Sequence, residues 1–231
     1  LRDLSQDEKK KLFSALAGHL ASKGFESDVA MDLIGTIYTL KHEEPWTPLR
    51  DAREFALLLN ATGRTGKPSL GISICMGDRG MSLERAESAL SEYRQNIVKY
   101  LNWLNENPDR IEELGSIYVV RGENFIEEKM ISAISTILSS NMPKRTKPLI
   151  AYSIVSDEGI VKISARATDL LIRSGFNLGE IIRVAAERSS GKGGGHDIAA
   201  GAQVPCDRRL DFIRLMDELV RENLKGINPG S

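Results

Sequence analysis

Apolar positions recur at helical spacing in the first half of the chain and in strand-like runs in the second half. Over 82–107 they fall at steps of three and four residues, which predicts one long amphipathic helix with Ser82 as its N-cap and Pro108 beyond its end. Similar patterns predict helices over 5–23 and 29–40. The N-terminal part of the chain is therefore expected to be mainly helical.

The second half alternates between the two kinds of pattern. Strand-like runs cover 116–120, 149–155, 160–165 and a short apolar stretch ending at Pro205. Helical patterns cover 125–140, 168–173, 178–188 and 208–224. Strands that alternate with helices in this way predict a compact α/β domain from about Pro108 onward.

The bulk composition predicts a soluble globular protein. The chain has 231 residues, of which 41% are hydrophobic and 27% charged. No apolar run approaches the ~20 residues of a membrane span, and the N-terminus lacks the basic-then-apolar order of a signal peptide. We therefore expect a cytoplasmic protein without a membrane partner. Because the chain begins with Leu1 and not with Met, we also expect it to be part of a longer protein.

The residues that commonly bind metals are scattered along the sequence. Cys75 and Cys206 lie far apart and fit no zinc pattern, so reduced thiols are expected. His19 and His42 lack Cys, His or carboxylate neighbours at ligand spacing. No metal site is predicted within this chain.

Positive charge is concentrated in one region. The net charge of −1 argues against a protein that coats nucleic acid electrostatically. Residues 141–196, however, contain nine Lys and Arg against five Asp and Glu, which gives this region +4 and leaves −5 for the rest. Such a region suits an anionic ligand. The alternative is that these charged residues are simply scattered over the protein surface.

Three consecutive glycines, 193–195, end that basic region and are followed by His196. Because glycine loses more backbone freedom on ordering than any other residue, we predict a loop here, between a helix and a strand. Bare amides in such a loop converge on an anion, with Lys192 and His196 adding charge or donors. The sequence fits neither the Walker pattern nor the dinucleotide fingerprint. A flexible surface loop is the alternative.

A second glycine-containing stretch follows the helical pattern that begins after Pro48. Asn60 and Gly63 are typical of helix C-termini, so a structural cap is the first explanation for them. In a fixed turn, Arg64 and Lys67 would also hold their cations toward a phosphate.

Three motifs of the chain together resemble a known family. Residues 193–201, Gly-Gly-Gly-His-x-x-Ala-Ala-Gly, resemble the signature of the DHH-associated C-terminal domain. Residues 164–166, Ser-Ala-Arg, resemble the Ser-x-Arg element of that domain, and residues 60–64, Asn-Ala-Thr-Gly-Arg, resemble the Asn-Ala-x-Gly-Arg motif of RecJ-type nucleases. Their order matches, and they span most of the chain. The combination most resembles the archaeal RecJ-like group, which includes the GINS-associated nuclease.

The resemblance implies a two-lobed phosphoesterase. The N-terminal lobe of the family binds Mn²⁺ or Mg²⁺ through aspartates and an Asp-His-His motif, which does not occur here. This chain would then be the C-terminal portion, inactive alone, with the metals held by residues outside it. The implied fold is α/β: a mainly helical end of the DHH lobe over 1–80, a connector helix over 81–107 and a mixed-sheet, substrate-binding DHH-associated domain over 108–231.

The resemblance also implies roles for individual residues. Arg64 would approach the scissile or adjacent phosphate as a catalytic residue, with Asn60 shaping its turn. Ser164 and Arg166 would hold the terminal phosphate, Arg166 as a bidentate fork and Ser164 as a hydroxyl donor. For Arg166 a cross-strand salt bridge is the alternative.

The glycine segment would complete the phosphate-binding site. The resemblance assigns the substrate phosphate to the amides of Gly193, Gly194 and Gly195 and a catalytic role to His196. A structural hydrogen-bonding role is the alternative for His196.

The function implied is a metal-dependent 5′→3′ exonuclease that is specific for single strands and acts in replication and repair. Its substrate would be DNA, with RNA as an open alternative.

A second hypothesis is a replisome scaffold that binds GINS, like the eukaryotic replication factor Cdc-forty-five. Intact phosphate-binding motifs favour the nuclease, because a scaffold does not need them. The related domain of alanyl-tRNA synthetases ranks last, since it usually carries Arg at the position of His196. Relatives that cleave oligoribonucleotides or cyclic dinucleotides stay open.

Overall fold

The computed structural model describes residues 4–25, 35–143 and 145–227. The internal packing of the chain divides it into two compact units, Leu1–Leu57 and Leu58–Ser231. The domain boundaries expected at residues 80 and 107 stay predictions.

The first unit contains helix α1, Gln6–Ser22, where a helix was predicted. The helix begins with a capping box, in which the Ser5 hydroxyl accepts a hydrogen bond from the amide of Glu8 and the Glu8 carboxylate accepts one from the amide of Ser5. The helix predicted over 29–40 is wrong over 35–40, a stretch that is not helical and includes an isolated β-bridge. Residues 29–34 lie outside the described part of the chain.

Three helices follow. They are α2, Ala52–Arg64, α3, Pro68–Cys75, and α4, Met81–Glu106. Helices α2 and α3 pack closely because Gly71 has no side chain: a Cβ there would lie 2.8 Å from the Thr62 Oγ1. Helix α4 confirms the long helix of the sequence pattern, but its N-cap is Gly80 and not Ser82.

The rest of the chain is built around a six-stranded sheet with the order β1-β2-β3-β4-β6-β5. The strands are β1, Ile111–Glu113, β2, Tyr118–Arg121, β3, Leu149–Val155, β4, Ile160–Arg166, β5, Lys192–Gly195, and β6, Ala199–Pro205. Strands β2 and β3 are parallel, and the other neighbours are antiparallel. The mixed α/β fold expected for this part of the chain is confirmed.

Helices cover the sheet unevenly. They are α5, Ile131–Ser139, α6, Asp169–Arg173, α7, Leu178–Arg188, and α8, Arg209–Ile227. Helix α5 packs on β3 and β4, whereas α7 packs on β5 and β6 and against α8. Helix α5 is shorter than the pattern over 125–140 predicted, because residues 125–130 form turns. The span of α7 agrees with its prediction.

The glycine segment is a strand and not the predicted loop. Residues Lys192–Gly195 pair with β6 along the sheet edge, under helix α7. A Cβ at Gly193 would lie 2.9 Å from the Cβ atoms of Ala186 and Ala202, so a larger residue does not fit between helix and sheet. Close packing by α7 offsets the entropy that ordering these glycines costs.

The core lies between the sheet and helices α7 and α8. It includes Ile150, Val161, Ile182, Phe212 and Met216, all of them buried. Over the described ranges, no helix is both long and apolar enough to cross a lipid bilayer.

Candidate anion-binding site

One face of strands β4, β6 and β5 carries four of the eight predicted site residues. Directly opposed residues of antiparallel strands share a face, and successive residues of one strand alternate between faces. Ser164 pairs with Gly201, which pairs with Gly194, so these three residues form one row across the sheet. The site therefore begins as a row of small residues and a hydroxyl.

A second row lies two residues further along the strands. Arg166 pairs with Ala199, and the amide of His196 donates a hydrogen bond of 2.9 Å to the Ala199 carbonyl. With strands about 4.8 Å apart, the Cα atoms of Arg166 and His196 lie about 10 Å from each other. His196 is exposed at the end of β5.

Helix α5 forms a wall beside these rows and holds the Arg166 side chain. The Arg166 guanidinium donates from Nε to the Thr136 Oγ1 at 2.9 Å and from Nη2 to the Ser132 carbonyl at 3.3 Å. Its Nη1 donates to the Ser164 Oγ at 3.2 Å and to the Ala165 carbonyl at 2.8 Å. A guanidinium has five N–H groups, so one N–H of Nη2 is left for a ligand.

The Ser164 hydroxyl is buried behind that guanidinium. Only 4% of Ser164 is exposed, and its Oγ lies 2.9 Å from the Ser135 Oγ. Ser135 donates its own proton to the Ser132 carbonyl at 3.0 Å, which leaves Ser164 as the donor between the two hydroxyls. The Ser164 proton is thus directed toward helix α5.

Arg64 reaches the N-terminal end of α5 from the last turn of helix α2. Its Nη1 donates a hydrogen bond of 2.6 Å to the Lys129 carbonyl. The motif 60–64 is helical, so the turn predicted at Asn60 and Gly63 is wrong and Arg64 projects from a helix end. Asn60 is exposed on the same helix.

The two arginines act on each other electrostatically. Burial lowers the pKa of Arg166, and the positive charge of Arg64 lowers it further. Neither guanidinium forms an ion pair with a carboxylate among the described residues, so the cross-strand salt bridge considered for Arg166 is absent there. Two cations from distant parts of the sequence therefore share a site without a described counter-charge.

The three glycines differ in what surrounds them. A Cβ at Gly193 would meet helix α7, and one at Gly195 would lie 2.5 Å from the Ala200 Cα, so these two positions are needed for packing. Gly194 has φ 156°, in the range that favours glycine, and a Cβ there would meet nothing within 4 Å. Of the three, Gly194 faces open space on the Ser164 side of the sheet.

The contribution of helix α5 was not found from the sequence. Its Ser132, Ser135 and Thr136 bind Arg166 or Ser164, yet they belong to a pattern that reads only as an amphipathic helix. The available signal was the pair of neighbouring hydroxyl residues Ser135 and Thr136, because Ser132 contributes only its backbone carbonyl.

The described residues offer no place for the divalent metals that the resemblance implies. No group of three or more His, Cys, Asp or Glu side chains there is arranged to hold a metal ion.

Part of the chain is similar to a known domain family. Residues 116–222 match the family model of the DHHA1 domain. An uncharacterized protein of Methanocaldococcus jannaschii is 33% identical over 224 residues, which cover 97% of this chain and 45% of that protein. The chain thus spans less than half the length of this relative.

Two solved proteins share the fold. RecJ from Thermus thermophilus matches with a TM-score of 0.58 in its Mn²⁺ complex and 0.53 in its Mg²⁺ complex, at 16% and 17% identity. Each match covers 74% of this chain and about a quarter of RecJ (24% and 25%). CDC45 from Entamoeba histolytica matches with a TM-score of 0.51 at 10% identity, over 95% of this chain and 46% of CDC45. The domain match thus covers residues 116–222, and the likeness to RecJ and CDC45 is one of fold.

Proposed function

We propose that this chain binds the phosphate end of a single-stranded nucleic acid, as the substrate-binding part of a metal-dependent 5′→3′ exonuclease. The observation that carries the proposal is the pair Arg64 and Arg166, two guanidiniums without a described counter-charge. Like charges that are held together this way lower stability unless an anion lies between them. A terminal phosphate supplies that anion.

The remaining residues act around this pair. Arg166 gives its unused Nη2 donor to the phosphate, while Ser164 and Thr136 fix the guanidinium plane. Ser164 is thus a positioning residue that acts through Arg166. Gly194, which has no side chain, lets the nucleic acid come close to the sheet. The exposed imidazole of His196 contacts the nucleic acid from the β5 side of the site. These contacts position a strand end without reading its sequence.

The chemistry belongs to the complete protein. We propose that a metal-binding lobe outside this chain holds Mn²⁺ or Mg²⁺ and that DNA is the preferred substrate. The fixed end then sets the distance from the terminal phosphate to the bond that is cleaved. Release of one nucleotide at a time follows from that geometry.

The test uses the complete protein with Mn²⁺ and an end-labelled single strand. We expect the wild type to release mononucleotides from a 5′-phosphorylated strand, and Arg166→Gln to lose at least about tenfold in kcat/KM, since a charge-assisted hydrogen bond contributes about 1.5–3 kcal/mol. Arg221→Gln is the matched control, because Arg221 is an exposed arginine on helix α8. Equal activity of Arg166→Gln and wild type would overturn the proposal.

A second candidate is a replisome scaffold that binds GINS. The observation that favours it is the shared fold with CDC45 over 95% of this chain. In a scaffold the charges of Arg64 and Arg166 have no use, which is why we place the nuclease first. Binding of GINS by the complete protein, with no release of nucleotides under the assay above, would favour the scaffold.

A further inference from the structure

A third row on the same face of the sheet lies beyond the proposed phosphate site. Lys162 pairs with Gln203, and Gln203 pairs with Lys192. Because side chains alternate along a strand, this row shares its face with Ser164 and Gly194. Two residues along a strand span about 6.8 Å, so the row lies about 13–14 Å from the Arg166 row.

The two lysines of this row differ in their charge environment. Lys162 is partly buried and forms a salt bridge of 3.4 Å with Glu128. Lys192 is exposed, and no carboxylate within the described ranges pairs with it. Gln203 lies between the two lysines and is also exposed. The row therefore presents one uncompensated cation and one amide to solvent.

Among the described residues, two glycines lie between the Arg166 row and Lys192. A Cβ at Gly194 would meet no atom within 4 Å, and Gly201 beside it likewise carries no side chain. The floor between the two charged rows is thus bare backbone, with helix α5 as its wall on the β4 side. A polyanion that is anchored at Arg166 can lie flat along this floor.

We propose that Lys192, assisted by Gln203, binds a phosphate farther along the single strand whose terminal phosphate lies at Arg166. The nucleic acid then runs parallel to the β-strands, from the Arg166 row over Gly194 to the Lys192 row. This inference rests on the proposed function and adds a second contact, between Lys192 and a phosphate of the bound nucleic acid. It predicts that affinity depends on strand length through one defined side chain.

The experiment measures the affinity of the chain for 5′-phosphorylated thymidine strands of one, two, four and six nucleotides. For the wild type, affinity rises with length until the strand reaches Lys192. Lys192→Gln loses that gain and lowers the slope of log K against log salt by about 0.7, the value for one phosphate contact on a single strand. Lys225→Gln, an exposed lysine near the end of helix α8, is the control and should match the wild type.

The outcomes separate this inference from the proposed function. If binding needs Arg166 but Lys192→Gln keeps the wild-type length dependence and salt slope, the strand takes another path and only this inference fails. If Arg166→Gln binds every strand as the wild type does, the proposed function fails as well.

Discussion

At the residue scale, the environment of Arg166 is the feature that separates a binding site from an ordinary ion pair. Its four hydrogen bonds go to neutral oxygens, and besides burial it is the charge of another arginine, Arg64, that lowers its pKa. Neutral acceptors orient a guanidinium without neutralising it. The full positive charge is therefore available to a ligand.

The Ser164 hydroxyl gives a prediction at this scale. Ser164→Ala removes a buried donor that bonds Ser135 and supports Arg166, so the free energy of unfolding should fall by about 1–2 kcal/mol. Affinity for a 5′-phosphorylated strand should fall less than in Arg166→Gln, because the cation itself remains. Urea denaturation and fluorescence anisotropy, at a temperature where the variant is folded, measure the two effects.

The control for this variant is Ser139→Ala. The Ser139 hydroxyl bonds only the Thr136 carbonyl within its own helix, so both measurements should stay close to the wild type. An affinity of Ser164→Ala equal to that of the wild type, with stability lowered, would mean that Ser164 is structural and does not position Arg166.

At the element scale, strand β5 shows how one glycine segment serves two purposes. Gly193 faces helix α7 and is required for packing, whereas Gly194 faces open space. The sequence alone could not separate these roles, because alternation along a strand becomes visible only once the segment is known to be a strand. The sequence predicts a loop because ordering glycines costs entropy, and the helix that offsets this cost becomes visible only in the fold.

Gly193→Ala tests this packing. The added Cβ would lie 2.9 Å from Ala186 and Ala202, so we expect a loss of about 1–3 kcal/mol in unfolding free energy. Gly63→Ala in helix α2 is the matched control, because a Cβ there meets nothing within 4 Å and alanine favours a helix. Thermal denaturation compares the two variants, and equal stability of Gly193→Ala and wild type would contradict the packing described for β5.

Other elements show what the sequence could and could not predict. Helices α4 and α7 and strands β3 and β4 follow their patterns because long amphipathic runs leave little ambiguity. Strand β1 is three residues long and carries no pattern of its own. The motif 60–64 contains Asn and Gly, which are typical of helix ends, yet tertiary packing keeps it in helix α2.

At the scale of the whole molecule, the proposed binding site and the proposed chemistry belong to different parts of the protein. The described residues bring cations together but no group of metal ligands. On the proposed function, the sheet face of this chain binds the phosphate end, and the chemistry needs a second lobe. The sequence motifs predicted Arg64, Ser164, Arg166 and His196 as site residues. The hydroxyls of helix α5 could be assigned to the site only from the fold.

The measurement that tests the central claim most directly is the preference for a phosphorylated end. Affinities for the same single strand with a 5′-phosphate and with a 5′-hydroxyl are compared in the wild type, Arg64→Gln and Arg166→Gln. We predict that the wild type prefers the phosphate by about tenfold or more and that each variant loses most of this preference. A preference that survives in both variants would contradict the claim that these two guanidiniums hold the phosphate end.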